Sequence, residues 1–323
     1  MAEQLISVDH DIRTGDNSYD SEENTQSEAT SLSSTIYKGV MENGRRYQTV
    51  REDKYWSPSD DKQFESLEAF HLVCMVLDSE QPNRMFQAPI EPSPKHILDI
   101  GTGRATWAVD MADIYPDALI RGVDLFPPPI TWIPSNCILE VDDILKEWAW
   151  PEPFDFIHMR TMLGAFTAQE WDDVYKQCYD NLKPGAWIEQ AEPGVSMTSD
   201  DGSLPEDSLL RTWGPNTLRA AEKSGRRIDT AYTMRAAIEK AGFVDVHEKE
   251  YKLPIGPWAK DPVLKEAGRL GHQQWASGME GWGMWLLTRH GVPEPWTKEE
   301  VQAYVAKLQE EMKNPRYHAY HIM

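Results

Sequence analysis

The sequence lacks several features that would place it in large classes of protein. No run of about eighteen apolar residues occurs, so we expect no membrane-spanning helix. The N-terminal stretch MAEQLISVDHDIR lacks the basic and then apolar regions of a secretion signal. The three cysteines, Cys74, Cys137 and Cys178, are dispersed and lack C-x-x-C spacing. Reduced thiols in an intracellular protein are therefore expected.

Basic residues are also scarce. The chain has 32 Lys and Arg against 53 Asp and Glu, which gives a net charge of −21. Proteins that bind nucleic acid need a basic face, so we expect no direct nucleic-acid partner. Residues 1–35 are acidic, Ser-rich and poor in aromatic residues, and we expect a disordered tail there. The chain is long enough to bury one large α/β core with additions, or a core and a small second domain.

The most informative segment is HILDIGTG at residues 96–103. A short apolar run ends in Asp99, and Gly101 and Gly103 follow where a strand should turn into a helix. Without Cβ atoms the turn can be tight, and a ligand can approach the peptide planes closely. Residues 104–114 are expected to form the helix, whose N-terminal N–H groups would face that ligand. This spacing is typical of a nucleotide-type cofactor site.

Three more predicted strands end in polar residues. The strand at 118–124 ends in Asp124, a position from which an acid accepts hydrogen bonds from ribose hydroxyls. The strand at 137–141 runs into Asp142 and Asp143, which could meet an adenine amino group. The strand at 154–158 ends in His158. The alternative is that these acids are solvated loop residues. The predicted cofactor-binding residues are Asp99, Gly101, Thr102, Gly103, Asp124, Leu125, Asp142, Asp143, Ile144 and His158.

The loop favours S-adenosylmethionine over a dinucleotide. The third glycine of the dinucleotide fingerprint is missing, because Arg104 and Ala105 follow Gly103. A pyrophosphate needs close approach along the whole loop, whereas S-adenosylmethionine carries no phosphate. Its ammonium group suits an acid such as Asp99, and its carboxylate suits the helix N-terminus. We therefore favour a methyltransferase over the alternative of an NAD-dependent dehydrogenase.

Several further segments carry a family resemblance. Over about residues 36–323 the chain resembles the LaeA-like fungal methyltransferases. LDIGTG and LKPG are shared by many class I methyltransferases, whereas WIPSNC, DDGSLPEDS and NPRYHAYH are more specific. The segments that carry the resemblance are ENGRRY from Glu42, LDIGTG, GVDL, WIPSNC, VDDI, FDFIHMR, LKPGAWIEQAE, KAGFVDV and the closing HAYH. The departure is at Arg104 and Ala105, where relatives usually carry Thr-Gly.

The resemblance implies a fold, a cofactor and three candidate functions. It implies a Rossmann-like seven-stranded sheet and S-adenosylmethionine as the cofactor, in a cytoplasmic or nuclear protein. The preferred function is methylation of an O, N or S acceptor on a small molecule of fungal secondary metabolism. The alternatives are a LaeA-type nuclear regulator acting in a protein complex, and a methyltransferase fold repurposed for another role.

The predicted organisation places helical segments on both sides of the core. We expect an N-terminal helical segment at 36–95, a cofactor-binding core at 96–256 and a C-terminal helical lid at 257–323. FVDVHEKEYKL at 243–253 is expected to supply two β segments to the antiparallel edge of the sheet. The lid is rich in tryptophan; most of these side chains are expected in its core and a minority in the pocket.

Candidate catalytic residues follow the predicted strands. His158 has the intrinsic pKa of a general base, although it could equally pack against the cofactor or the backbone. Glu189 and Glu192 lie just past the fifth strand and could orient an acceptor. Lower-grade candidates are Tyr37, Tyr47 and Trp107, and His71 is expected to be a packed histidine. His318 and His321 have no evident third ligand, so no metal site is predicted.

Overall fold

The structure is a computed structural model that describes residues 34–52, 54–80 and 84–323. The tail predicted over 1–35 lies, except for its last two residues, outside this part of the chain. Within the described ranges eight helices and nine strands follow one another. In chain order they are α1 Ser34–Lys38, β1 Val40–Glu42, β2 Arg45–Tyr47, α2 Asp61–Leu77, β3 His96–Ile100, α3 Thr106–Ile114, β4 Leu119–Asp124, β5 Cys137–Val141, β6 Phe154–Arg160, α4 Ala168–Asn181, β7 Leu182–Ala191, α5 Leu210–Ser224, α6 Thr230–Lys240, β8 Lys252–Pro254, α7 Pro262–His290, α8 Lys298–Met312 and β9 Tyr320–Ile322.

The central sheet is parallel and, among the described residues, has five strands in the order β5-β4-β3-β6-β7. The predicted α/β Rossmann-like class is confirmed, but seven strands are not. The chain leaves β3 for one side of the sheet and later returns to its other side, so a switch point lies between β3 and β6. Asp99 pairs in register with His158 across this point. Ligands of such sheets bind outside the carboxyl ends of the strands here.

The prediction that residues 243–253 form the antiparallel edge of the central sheet is wrong. Residues 243–251 form no strand, and Asp245 has a φ of 55°, which interrupts an extended backbone. Only Lys252–Pro254 is a strand, and it pairs antiparallel with Tyr320–Ile322 in a separate two-stranded sheet. The alternation of apolar and charged residues therefore indicated a strand that the local backbone conformation excludes.

The apolar runs of the central strands are buried because helices cover the sheet. Ile97, Leu98, Phe156 and Ile157 are fully buried. The helix α4 begins at a capping box in which Thr167 and Glu170 each accept the other's backbone N–H. Such a cap satisfies two backbone donors that would otherwise be left without partners.

The helix α2, which precedes the central sheet in the chain, packs along α7, which follows it. This contact joins the N-terminal and C-terminal segments that flank the core. Asp60 caps the start of α2, and the Ser66 hydroxyl donates to the backbone oxygen of Gln274 at 2.8 Å. Glycines let α7 approach its neighbours closely: a Cβ on Gly268 would lie 2.2 Å from the backbone oxygen of Gly256. The segment predicted as a helical lid at 257–323 contains two helices, α7 and α8, which are separated by the residues around Pro293.

Candidate active site

The loop after β3 has the backbone that its glycines indicate. Gly101 and Gly103 have φ of 70° and 56°, in the left-handed region that side chains disfavour. A Cβ on Gly101 would also lie 2.4 Å from the sulfur of Met162, so a larger residue would require the Met162 side chain to move. Ala105, at the departure from the family pattern, has a φ of 65°. The backbone there adopts the conformation that a glycine would take without strain.

Asp99 and His158 form a buried pair at the switch point. The Asp99 Oδ1 is 2.8 Å from Nδ1 of His158, and its Oδ2 accepts the Thr102 hydroxyl at 2.6 Å. The imidazole stacks on the indole of Trp107 with ring centroids 3.8 Å apart. Burial lowers the pKa of His158, although the carboxylate acts in the opposite direction. The Asp99 carboxylate accepts a hydrogen bond from Nδ1–H of His158, which leaves Nε2 as the basic nitrogen.

Asp124 holds the glycine loop from the end of β4. Its Oδ2 accepts the N–H of Gly103 at 2.8 Å, and its Oδ1 accepts the N–H of Phe126 at 3.2 Å. Burial raises the pKa of this carboxyl group, while the two backbone N–H groups lower it. Carboxylate oxygens accept more than one hydrogen bond each, so Asp124 can bind both the loop and a ligand hydroxyl.

One cavity contains all ten residues predicted to bind the cofactor. It lies at the carboxyl ends of β3, β4, β5 and β6, and we call it the cofactor cavity. The helix α2 contributes its opposite wall, with Phe64, Leu67 and His71 among the lining side chains. Asp143 also forms an ion pair with Arg51 at 3.4 Å.

Glu189 and Glu192, predicted as catalytic, are not among the residues that line this cavity. Glu189 accepts the backbone N–H groups of Gln87 and Ala88, both at 2.7 Å. Glu192 accepts the N–H of Met162 at 3.0 Å, and its Oε2 has no hydrogen-bond partner among the described residues. Burial raises the pKa of each carboxyl group to about 7. Both carboxyl groups therefore accept from backbone amides, and Glu192 also accepts from the side-chain amide of Gln190 at 2.9 Å.

The lower-grade candidates separate in the structure. Trp107 lines the cofactor cavity, whereas Tyr37 and Tyr47 do not. Tyr47 belongs to the core that contains Trp213, and its buried hydroxyl has no hydrogen-bond partner in the part of the chain that the structure describes. His318 pairs with Asp201, and burial lowers the pKa of His321 to about 4. In the ranges that the structure describes, no cluster of three His, Cys, Asp or Glu residues could hold a metal.

Sequence reasoning missed Arg160 as a site residue. Arg160 lines the cofactor cavity and donates to Nδ1 of His71 at 2.9 Å, while Nε2 of His71 lies 3.1 Å from Asp110. His71 is buried as predicted, and burial lowers its pKa. The signal was present, since side chains two apart on a strand share a face and Arg160 follows His158 by two.

A second chamber adjoins the cofactor cavity. It shares Tyr55, Ser57, Leu67 and Thr161 with that cavity. The rest of its wall comes from Trp56 and Leu163, the segment after β7, helices α5 and α7, and Ile228 between α5 and α6. Of the tryptophans predicted to divide between core and pocket, Trp275 and Trp282 line the chamber, whereas Trp258 packs against Tyr320.

Among the helices that the structure describes, none combines the length and the apolar composition that a membrane span requires.

Comparison with known proteins identifies the class that this fold and site define. A family model described as a methyltransferase domain matches residues 68–248. The chain belongs to this family and is a class I methyltransferase, for which S-adenosylmethionine is the cofactor.

Individual relatives indicate a narrower group within this class. The chain is 38% identical to methyltransferase pytC of Aspergillus terreus, over 91% of this chain and 89% of that protein. It is 33% identical to secondary metabolism regulator LAE1 of Cochliobolus heterostrophus, over 87% and 91%. It is 30% identical to protein-methionine methyltransferase laeA of Emericella nidulans, over 87% and 74%. The predicted resemblance to LaeA-like methyltransferases of fungal secondary metabolism is therefore confirmed.

Proposed function

We propose that this protein methylates an O, N or S atom of a small molecule bound in the second chamber. The observation that carries the proposal is the junction of the two cavities, which share Tyr55, Ser57, Leu67 and Thr161. A methyl donor in one cavity and an acceptor in the other would meet at these shared side chains. The helices α2 and α7 would act as the caps that exclude water from the junction.

The residues of the cofactor cavity fit S-adenosylmethionine, which supplies an electrophilic methyl group on a sulfonium when bound. Asp124 would accept hydrogen bonds from the ribose hydroxyls, and Leu125 lines the cavity next to it. Asp142, Asp143 and Ile144 would surround the adenine. Asp99, Thr102 and the two glycines would face the methionine part, because they lie beside His158 at the switch point. The acid-rich lining suits a cationic cofactor and provides no phosphate cradle.

Arg160 would bind the carboxylate of the cofactor. Three arginines line the cavity; Arg51 pairs with Glu170 at 2.7 Å, and Arg104 is 3.5 Å from Glu68. No carboxylate among the described residues lies within 4.0 Å of Arg160, whose recorded partner His71 has a lowered pKa and is neutral. A partly buried guanidinium next to a neutral histidine favours an anionic ligand group.

Replacing Arg160 by methionine is expected to weaken binding of S-adenosylhomocysteine by about 10- to 100-fold, the loss of a charge-assisted hydrogen bond. Binding of 5′-methylthioadenosine, which lacks the amino-acid part, should change less than about twofold. Calorimetry with both ligands measures the difference. An equal loss for both ligands would mean that Arg160 only supports the cavity wall, and no loss for either would remove it from the site.

His158 is proposed as the general base for hydroxyl or ammonium acceptors. Asp99 accepts a hydrogen bond from Nδ1–H of His158, so Nε2 can take a proton from the hydroxyl or ammonium group that is methylated. The lowered pKa keeps the imidazole neutral at physiological pH. Positioning by the two cavities would supply the larger share of the barrier reduction, on the order of 7–11 kcal/mol. Glu192 would act at a distance, since it holds the backbone of Met162 beside Gly101.

Transfer of a labelled methyl group tests the proposed function. The protein is incubated with methyl-labelled S-adenosylmethionine and an extract of fungal metabolites, and the mixture is then passed through an ultrafiltration membrane. We expect label in a small molecule in the filtrate, and none there with the Asp124→Ala variant. Label retained only on protein would contradict a small-molecule acceptor. Absence of transfer together with absence of cofactor binding would indicate a repurposed fold.

A second candidate is a regulator of secondary metabolism that methylates a protein. It is supported by the relatives LAE1 and laeA, one of which is named a protein-methionine methyltransferase. In this case the protein would act in a regulatory complex and in the nucleus, whereas a tailoring enzyme would act in the cytoplasm. Nuclear fractionation and capture of a partner from the same extract separate the two candidates.

A further inference from the structure

His71 lies on α2 and links two other elements that border the cofactor cavity. Its Nδ1 is 2.9 Å from a terminal nitrogen of Arg160, the last residue of β6, and its Nε2 is 3.1 Å from Oδ2 of Asp110 on α3. The helix α3 is the one that follows the glycine loop. His71 is 3% exposed and lines the cavity together with Arg160. One buried imidazole therefore ties β6 and α3 to the helix that covers the cavity.

The two contacts fix which nitrogen of His71 carries the proton. A guanidinium has N–H donors and no acceptor, so Nδ1 must offer its lone pair to Arg160. A carboxylate only accepts, so Nε2 must carry the proton that it donates to Asp110. Burial lowers the pKa of His71, which keeps the imidazole in this neutral form. His71 therefore holds Arg160 without acting as its counter-ion.

Arg160 has a second neutral neighbour on the same helix. The thiol of Cys74, one turn after His71, also interacts with the Arg160 side chain, and burial raises the pKa of this thiol. Residues three apart on a helix share a face, so α2 presents an imidazole and a thiol to one guanidinium. Both groups are uncharged at neutral pH, so they hold the guanidinium and leave its charge for a ligand.

The hold on Arg160 matters because an arginine side chain is long and has many rotamers. Fixing such a side chain on a ligand costs conformational entropy. The bond to His71 is in place before a ligand arrives, so less of this freedom remains to be lost on binding. The donors of a guanidinium also form one rigid, planar fork, so fixing one nitrogen on His71 sets the direction of the others.

We propose that His71 is a positioning residue that directs Arg160 at the carboxylate of the methyl donor, while Asp110 holds the imidazole in the required tautomer. This inference rests on the proposed function, in which Arg160 binds that carboxylate. Arg160 is the group that reaches the cofactor, and His71 acts through it. The amino-acid part of the cofactor is then recognised through a relay that begins at the partly exposed carboxylate of Asp110 and ends in the cavity.

Substitutions at His71 test the relay by calorimetry with S-adenosylhomocysteine and 5′-methylthioadenosine. His71→Leu removes the acceptor for Arg160 and should weaken S-adenosylhomocysteine binding by about three- to tenfold, against less than about twofold for 5′-methylthioadenosine. His71→Asn places a side-chain oxygen close to the position of Nδ1, so binding should stay within about twofold of the wild type. Leu72→Asn, at the exposed next position on α2, is the matched control and should leave both affinities unchanged.

A double-mutant cycle separates positioning from support of the fold. In the Arg160→Met background, His71→Leu should weaken S-adenosylhomocysteine binding by less than about twofold, because the group that His71 positions is gone. Asp110→Ala, outside the cavity wall, frees the tautomer and should cause a smaller loss that is again selective for S-adenosylhomocysteine. This variant tests the relay even if His71→Leu does not fold.

Three results would overturn the inference. They are additive losses in the double variant, an equal loss of both ligands with His71→Leu, and a loss with His71→Asn as large as with His71→Leu. If His71→Leu does not fold, unchanged binding by Asp110→Ala overturns it. In each case a wild type that still binds S-adenosylhomocysteine leaves the proposed methyltransferase function standing. A wild type that binds neither ligand would overturn that function and this inference together.

Discussion

Replacing Asp124 by alanine is expected to weaken S-adenosylhomocysteine binding by at least about 100-fold. Without the carboxylate, the site loses charge-assisted hydrogen bonds to two ribose hydroxyls, each contributing about 1.5–3 kcal/mol. The N–H of Gly103, which donates to Asp124 at 2.8 Å in the wild type, also loses its acceptor, and this loosens the loop that faces the ligand. Calorimetric titration of the wild type and the variant measures the loss directly.

Two further variants separate the contributions at this site. Asp124→Asn keeps an oxygen that can accept the Gly103 N–H but removes the charge, so we expect a smaller loss than with alanine. Asp117→Ala, at an exposed acid outside the cofactor cavity, should leave binding unchanged. A Kd for Asp124→Ala within about threefold of the wild type would mean that Asp124 serves the loop alone.

The part of the site that the sequence predicted well is the part that local rules determine. A strand that ends in an acid before glycines places both at the carboxyl edge of a parallel sheet, whatever the rest of the chain does. Asp99, Asp124 and His158 therefore line one cavity as expected. Glu189 and Glu192 followed the same rule but turn to backbone amides, because buried N–H groups nearby require acceptors.

The second chamber could not be predicted from local patterns. Its wall combines Trp56, Trp213 and Trp275, which are far apart in sequence and meet only through the packing of α5 and α7. The strand predicted at 243–253 failed for a related reason. Its alternation of apolar and charged residues was a weak signal, and the conformation of Asp245 and the pairing of Lys252–Pro254 with the C-terminus prevailed.

The stability of the Glu192→Gln variant, relative to that of the wild type, is expected to rise with pH. Glu192 has a folded-state pKa of about 7 because burial disfavours its charged form, against an ordinary value of 4.5. Between these values the unfolded chain releases the proton and the folded protein keeps it. The free energy of unfolding of the wild type therefore falls with rising pH, by up to about 1.4 kcal/mol per pH unit from this group.

Glutamine keeps an oxygen for the N–H of Met162 but cannot ionise, so this pH dependence disappears in the variant. From pH 5.5 to 8.0, the stability of Glu192→Gln relative to the wild type should therefore rise by about 2 kcal/mol, measured by urea unfolding. Glu206→Gln, at a side chain that is 96% exposed, is the matched control and should show no such rise. An equal difference at both pH values would mean that Glu192 is ionised in the folded protein. The unpartnered Oε2 would then carry a buried charge, which the energetics of the site argue against.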